Sequence, residues 1–213
     1  MTTPSAVAPD PSLNRRSYDA IAGQWDQVRH SASPCERPFL DDLLAGLDPG
    51  SRVLDLGCGT GRPMAAAVLA AGHAVTGIDQ SAAMLELARA RFPQATWIEA
   101  PLEHYEPGPG HGAAIAWDVL FHLPRQSFAP IAARLHQALV PGGALLLTVG
   151  GSENPAFTDT MFGATFFYDS HPPDTAQALL TAAGFRIVRA AFLNQPTTGR
   201  DKGRFAILAH AGG

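Results

Sequence analysis

The sequence predicts an α/β protein built around one doubly wound, mostly parallel sheet. Apolar runs of strand length alternate with runs at helical spacing along most of the 213 residues. A glycine-rich turn joins the first apolar strand to the helix behind it. Two apolar runs near the end of the chain, joined by a turn-rich segment, indicate a closing hairpin with one antiparallel strand. A chain of this length is sufficient for one such domain and too short for two.

Two helices are predicted before the first strand. Residues 1–13 are rich in Pro, Ala, Ser and Thr, which is typical of a disordered tail. Apolar residues then recur at helical spacing across residues 14–29, and again between Phe39 and Leu47. We expect residues 14–48 to form a helical cover over the domain that follows.

The remaining segments alternate between strand and helix, which predicts a cofactor-binding core over residues 51–150 and a helix with a hairpin over residues 174–213. Seven strands are predicted, at 53–56, 73–78, 95–99, 113–117, 144–149, 185–192 and 204–209. Four helices are predicted between them, at 62–71, 81–91, 126–139 and 175–183.

A short glycine motif follows the first strand. Gly57, Gly59 and Gly61 lack a Cβ, so the chain can turn tightly and its backbone amides can approach a ligand. The helix behind the turn begins with unpaired N–H groups. The next strand ends at Asp79, and a carboxylate there can accept both hydroxyls of a ribose. The unit predicts a nucleoside-cofactor site; the alternative is a tight turn without a ligand and an Asp that caps the next helix.

The residues around the glycines indicate which cofactor binds. The spacing is Gly-x-Gly-x-Gly rather than Gly-x-Gly-x-x-Gly, and Asp55 would repel a pyrophosphate but suit a cationic amino group. An NAD-dependent oxidoreductase is therefore disfavoured. Residues 53–61 resemble motif I of the class I S-adenosylmethionine-dependent methyltransferases, and Asp79 resembles their ribose-binding acid. The resemblance implies a Rossmann-like sheet of order 3-2-1-4-5-7-6 with the last strand antiparallel, and S-adenosyl-L-methionine as the cofactor.

The resemblance also implies a set of cofactor-binding residues. Pro101 stands where the family usually carries the Asp that binds the adenine amino group, so Leu102 is expected to offer a backbone N–H and an apolar wall instead. Tyr18 lies in a segment that folds over the cofactor in related families. The expected cofactor-binding residues are Asp55, Gly57, Cys58, Gly59, Gly61, Asp79, Gln80, Met84, Leu102, Trp117 and Tyr18.

The segment after the fourth strand carries the candidate chemistry. Residues 117–125 resemble a Trp-Asp-x-x-Phe-His-Leu segment of a bacterial small-molecule methyltransferase subgroup. His122 titrates near neutrality and can take a proton from a hydroxyl or amine; the alternative is that it orders the loop. Asp118 is a second catalytic candidate, although a capping or orienting role fits it better. The predicted reaction is in-line transfer of a methyl group to an oxygen or nitrogen of a small molecule; the alternative is a non-catalytic S-adenosylmethionine-binding protein or partner subunit.

Residues 151–173 follow the fifth strand and are rich in aromatic side chains, which predicts a lid over an apolar or aromatic acceptor. Tyr168 and His171 are its polar candidates for substrate contact, and Trp25 of the first helix is a third. The alternative is that these side chains pack on the sheet edge or form a dimer surface.

Composition excludes several other classes. The net charge is −4, and Lys202 is the only lysine, so a nucleic-acid substrate is disfavoured. No apolar run is long enough to span a membrane and no signal peptide is recognisable, so a cytoplasmic location is expected. Cys35 and Cys58 lie in unrelated contexts, which disfavours a disulfide. The eight histidines are scattered, so no metal site is expected, and the chain is expected to be a monomer or homodimer.

Overall fold

The computed structural model describes Asp10, residues 12–198 and residues 201–212. Most of the predicted tail, residues 1–13, therefore lies outside the described residues, and Leu13 already belongs to the first helix. The helices are α1 (Leu13–Val28), α2 (Arg37–Ala45), α3 (Met64–Ala70), α4 (Ala82–Arg91), α5 (Phe128–Ala138) and α6 (Pro173–Ala182). The strands are β1 (Arg52–Leu56), β2 (Ala74–Asp79), β3 (Thr96–Glu99), β4 (His111–Ala116), β5 (Leu139–Gly150), β6 (Phe157–Met161), β7 (Ala164–Tyr168), β8 (Phe185–Asn194) and β9 (Arg204–Ala211).

Seven of these strands form one sheet in the order β3-β2-β1-β4-β5-β9-β8. Strand β9 runs antiparallel to both of its neighbours, and the other pairs are parallel. Counted along the chain within this sheet, the order is 3-2-1-4-5-7-6 with the last strand antiparallel, as predicted. In the register of β1 and β2, Leu56 lies opposite Ile78. The glycine turn and Asp79 therefore meet at the carboxyl edge of the sheet, where ligands of open α/β sheets bind.

Helices cover both faces of the sheet because its central strands are buried on both sides. Side chains alternate along β1, so Leu54 belongs to the apolar cluster that holds α5 and α6. Its neighbour Val53 belongs to the opposite cluster, which holds α2 and α3. Both side chains are 1% exposed or less. The two clusters fix the sheet between helical layers and hold the carboxyl edge in place.

The segment predicted as an aromatic lid contains a β-hairpin that the sequence analysis did not predict. Strands β6 and β7 pair antiparallel, with Phe157 opposite Tyr168. The turn between them contains Phe162, a non-glycine residue at φ +51°, followed by Gly163. The usual Asn-Gly or Asp-Gly signal of a two-residue hairpin is absent, so local sequence did not indicate it.

Helix α1 packs against α4 and β7 and thereby covers the carboxyl edge of the sheet. Asp19 Oδ1 accepts a hydrogen bond from the Ser81 hydroxyl at 2.7 Å. Two helical turns further along α1, the Asp26 carboxylate forms a salt bridge of 2.6 Å with Arg91. These two contacts hold α1 on α4. Among the helices of the described residues, none is long and apolar enough to cross a membrane.

Candidate functional site

The glycine turn is tied to the end of β2 by backbone hydrogen bonds. The N–H groups of Gly57 and Cys58 donate to the Ile78 carbonyl at 2.7 and 3.1 Å. The Gly59 N–H donates to Asp79 Oδ2, and the Ser81 N–H donates to Asp79 Oδ1, both at 2.9 Å. The Asp79 carboxylate is therefore held in one orientation by backbone N–H groups.

The space around the glycines shows which of them face a cavity. Gly57 has φ +67°, and a Cβ there would lie 2.3 Å from Val119 Cγ2. Gly59 has φ +53°, and its Cβ would meet only Trp25 Nε1, at 3.8 Å. A Cβ on Gly61 would lie 3.0 Å from both Phe92 and Trp97. A side chain on Gly59 would thus enter open space. The absence of a side chain at Gly57 makes room for Val119, and its absence at Gly61 makes room for Phe92 and Trp97.

A cleft opens above this turn. Two expected residues are not part of its wall: Gly61 packs as described above, and Met84 is 1% exposed in the first turn of α4. Sequence analysis missed Glu103, which lines the cleft two residues after Pro101. The expected residues that do line the cleft are Tyr18, Asp55, Gly57, Cys58, Gly59, Asp79, Gln80, Leu102 and Trp117.

Burial controls the charge of this cleft. Desolvation, with a smaller contribution from the Asp79 charge, raises the pKa of Asp55 to about 7. Desolvation also raises the pKa of Asp79, although backbone N–H groups act in the opposite direction. The pKa of the Cys58 thiol is raised well above its usual value by burial, which makes this thiol a poor nucleophile. Buried Asp55 and half-buried Asp79, both of raised pKa, favour a cationic ligand in this cleft.

His122 and Tyr18 meet at the edge of the cleft. The Tyr18 hydroxyl lies 2.9 Å from His122 Nε2. On the other side of the ring, His122 Nδ1 lies 3.0 Å from the carbonyl oxygen of Phe167. Desolvation lowers the pKa of His122 to about 4, so the ring is neutral at neutral pH. The structure thus brings together two expected site residues that are 104 positions apart in the sequence.

Asp118 lies in a network of charged side chains. Its carboxylate accepts hydrogen bonds from Arg204 at 2.9 and 2.7 Å and from Arg29 at 3.3 Å. Both guanidinium groups also donate to Glu36, whose side chain is fully buried. The Thr148 hydroxyl accepts from the Asp118 N–H at 2.7 Å and helps to hold the residue at φ +55°. This arrangement fits the orienting role better than the role of a base. Sequence analysis missed Glu36 and Arg204 because the contacts of Arg204 with Glu36 and with Asp118 join residues that are distant in the chain.

A second cavity lies beside the cleft and shares part of its wall. Phe157 and Phe121 stack against Tyr168, with centroid separations of 5.3 and 6.2 Å, and all three line the cavity. His171 is not part of its wall and contacts Phe128 edge to face instead. The residues common to both cavities are Tyr18, Trp25, Arg29, Asp118 and His122.

Residues 53–143 match a family described as a methyltransferase domain. The matched segment runs from β1 into β5 and includes the glycine turn, Asp79 and the segment from Trp117 to His122. Over these residues the chain is similar to the class I S-adenosylmethionine-dependent methyltransferases, as the glycine motif predicted. The observed order of strands confirms the predicted fold, and the match supports the predicted family.

Curated relatives of this chain include two trans-aconitate 2-methyltransferases. The one from Paracidovorax citrulli is 41% identical over 116 residues, which is 50% of this chain and 42% of the relative. The one from Azoarcus sp. is 36% identical over 58% of this chain and 49% of the relative. A ubiquinone biosynthesis O-methyltransferase from Alkalilimnicola ehrlichii is 29% identical over 74% of this chain and 67% of the relative. The chain spans less than half the length of the two trans-aconitate enzymes.

Solved methyltransferase structures share the fold of this chain. The 1,6-didemethyltoxoflavin-N1-methyltransferase of Burkholderia thailandensis has a TM-score of 0.72 at 21% identity, covering 98% of this chain and 93% of that one. The magnesium protoporphyrin IX methyltransferase of Synechocystis, with bound S-adenosylhomocysteine, has a TM-score of 0.69 at 19% identity, covering 95% and 100%. At these identities the likeness concerns the fold alone.

Proposed function

We propose that this chain binds S-adenosyl-L-methionine in the glycine-lined cleft and transfers its methyl group to a small molecule in the second cavity. The observation that carries this proposal is the shared wall of the two cavities, formed by Tyr18, Trp25, Arg29, Asp118 and His122. A cofactor bound along the carboxyl edge would present its methyl group near this wall. An acceptor in the second cavity would then lie in line with it, which in-line displacement requires.

The cleft contains groups that fit each part of the cofactor. Asp79 would accept the ribose hydroxyls, and Gly59 would let the backbone approach closely. Glu103 would accept from the adenine amino group, in place of the Asp that Pro101 replaces, and Leu102 would pack on the ring. Asp55 would face the ammonium group of the amino-acid part. When bound, the cofactor supplies an electrophilic methyl group on a sulfonium.

The second cavity favours a planar, weakly charged acceptor. Aromatic rings from Phe121, Phe157 and Tyr168 form one side of it. The guanidinium groups of Arg29 and Arg204 are already paired with two carboxylates, so the four formal charges of this network cancel. A tricarboxylate would have to compete for these guanidinium groups. We therefore propose an aromatic acceptor that bears an O–H or N–H group.

Calorimetric titration with S-adenosylhomocysteine, with NAD as the control, tests the cofactor assignment first. Binding of the first ligand alone would support the proposal, and binding of neither would contradict it. An acceptor screen would then measure S-adenosylhomocysteine formation with phenols, N-heteroaromatic compounds and trans-aconitate. Turnover with a planar compound would support the acceptor class; turnover with trans-aconitate alone would overturn it. Cofactor binding without any turnover across the screen would favour the non-catalytic alternative.

Three expectations from the sequence also stay proposals. In the described part of the chain, no group of three or more His, Cys, Asp or Glu side chains is arranged to hold a metal ion. We propose metal-independent turnover, which repeating the screen with a chelator would test. A monomer or homodimer is proposed, to be measured by light scattering. A cytoplasmic location is proposed, in keeping with the free thiols of Cys35 and Cys58, and cell fractionation would test it.

A further inference from the structure

We propose that Tyr18 and His122 form a proton-transfer pair in which the Tyr18 hydroxyl contacts the acceptor and His122 Nε2 receives the proton. This inference rests on the proposed function, because the acceptor cavity is assigned there. Both residues line both cavities, so the pair stands where the methyl group and the acceptor would meet. Sequence analysis assigned Tyr18 to the cofactor and His122 to catalysis, and did not link them.

The hydrogen bonds of His122 define the direction of proton transfer. A carbonyl oxygen can only accept, so the contact of 3.0 Å with Phe167 places the hydrogen on Nδ1. Nε2 of the neutral ring then carries the lone pair, and the Tyr18 hydroxyl donates to it at 2.9 Å. The phenol oxygen keeps lone pairs that can accept a hydrogen bond from the acceptor.

Neighbouring groups fix this pair in place. The Asn14 amide donates to the carbonyl oxygens of Phe167, at 3.0 Å, and His122, at 2.9 Å. Asn14 Oδ1 accepts from the Phe167 N–H at 2.8 Å, so the side chain joins α1, β7 and the segment after β4. The Tyr18 ring packs edge to face on Phe166 and Trp25, with centroids 4.8 and 5.8 Å away. The pair is therefore pre-organised before any ligand binds.

The electrostatic surroundings keep both partners neutral. Burial lowers the pKa of His122 and raises that of Tyr18, and interactions with Tyr168, Asp79 and Asp118 raise the pKa of Tyr18 further. The ring of Tyr168 in β7 lies against the imidazole of His122, with centroids 4.7 Å apart. Asp118 and Arg29 line the second cavity together with the pair. A neutral pair accepts a proton only when the acceptor becomes strongly acidic, which happens as its bond to the methyl group forms.

The atoms and charges of this step balance. The acceptor oxygen or nitrogen forms a bond to the methyl carbon while the bond from that carbon to sulfur breaks. Tyr18 Oη receives the acceptor's proton as it passes its own proton to His122 Nε2. The positive charge lost at sulfur then resides on the imidazolium of His122, stabilised at Nδ1 by the Phe167 carbonyl. His122 later releases the proton to solvent.

A readout without cofactor or acceptor tests the geometry. In protein labelled with ¹⁵N-histidine, two-bond proton–nitrogen NMR spectra report the tautomer of each ring, and the His122→Asn spectrum assigns the signals. We expect the Nδ1-protonated tautomer, still neutral at about pH 5, with its Nε2 resonance shifted in Tyr18→Phe. An Nε2-protonated tautomer, or an Nε2 resonance that does not move in Tyr18→Phe, would overturn the proposal even if methyl transfer itself is found.

Kinetics with an acceptor from the screen test the role in catalysis. We expect Tyr18→Phe and His122→Asn each to lower kcat by about 100-fold or more, and the double variant to be no slower than either single variant. Asn keeps a donor near the position of Nδ1 but has no counterpart of Nε2. Affinity for S-adenosylhomocysteine is expected to stay within about threefold. Tyr105→Phe, outside both cavities, is the matched control.

Other kinetic outcomes would contradict the pair. Losses of kcat below about threefold would show that no proton passes through Tyr18. Losses that multiply in the double variant would show that the two residues act separately. A parallel loss of affinity for S-adenosylhomocysteine in Tyr18→Phe would assign Tyr18 to cofactor binding instead.

Discussion

Arg204 of the last strand donates two hydrogen bonds to Asp118, from Nε at 2.9 Å and from Nη2 at 2.7 Å. Asp118 follows β4 and Arg204 begins β9, so the pair joins two elements that are 86 residues apart in the sequence. Glu36 accepts from the same guanidinium, and Arg29 pairs with both carboxylates. Arg29 and Asp118, which belong to the wall shared by the two cavities, are thus held by Glu36 and Arg204, which line the second cavity alone.

Replacing Asp118 should weaken the fold as well as the site. Asp118→Ala leaves Arg204 partly buried with one carboxylate partner fewer, so we expect the free energy of unfolding to fall by about 3 kcal/mol. Urea denaturation measures this loss. Asp42→Ala is the control, because Asp42 forms an exposed pair with Arg189 whose removal should cost less than about 1 kcal/mol. Equal losses in the two variants would contradict a structural role for the buried network.

Removal of the Asp79 carboxylate should abolish tight cofactor binding. Asp79→Ala loses the acceptor proposed for the ribose hydroxyls, and we expect at least about tenfold weaker binding of S-adenosylhomocysteine by calorimetry. Because Asp79 also accepts from Gly59 and Ser81, a thermal unfolding scan must accompany the titration. The surface variant Asp41→Ala should bind normally. Unchanged affinity in a folded Asp79→Ala protein would refute the placement of the ribose.

Cofactor affinity should depend on pH through Asp55. Its pKa is raised to about 7, so the carboxyl group is mostly neutral below that pH and negative above it. A cation binds the negative form better, so affinity for S-adenosylmethionine should rise about tenfold between about pH 5.5 and about pH 7.5. Calorimetry at both pH values measures the change. Adenosine, which lacks the ammonium group, and the variant Asp55→Asn should each show a much smaller dependence; a full rise in Asp55→Asn would assign the effect to another group.

Gly57 and Gly59 should respond differently to replacement by alanine. Gly59→Ala places its Cβ in the cleft, so we expect a folded protein, destabilised by about 1–2 kcal/mol because of its positive φ, that binds S-adenosylhomocysteine poorly. Gly57→Ala drives a Cβ into Val119 and should lose much more stability. Thermal unfolding and calorimetry on both variants separate the two effects. A destabilised Gly59→Ala protein with normal affinity would place the ligand elsewhere.

Local sequence was sufficient for the features that involve neighbouring residues. The strand, glycine turn and helix around Gly59 are adjacent in the chain, and Ser81 caps α4 through its contact with the Met84 N–H. Side-chain periodicity located the helices and strands within a few residues. The β6–β7 hairpin was missed because its turn, at Phe162, has no ordinary turn residue ahead of Gly163. Residue type alone also assigned Met84 and Gly61 to the cleft, whereas packing turns both away from it.

The sequence by itself determined the class of fold, the family resemblance and the position of the cofactor-binding turn, because these depend on periodicity and on short motifs. Only the tertiary structure decided that Tyr18 faces His122 and that Glu36 and Arg204 flank Asp118, since these side chains are brought together by sheet order and by the docking of α1. It also decided their protonation, because the pKa of His122 depends on burial, which residue type does not reveal. The physical reason is that the site forms from contacts between segments distant in sequence, and their energies exist only once the sheet is assembled.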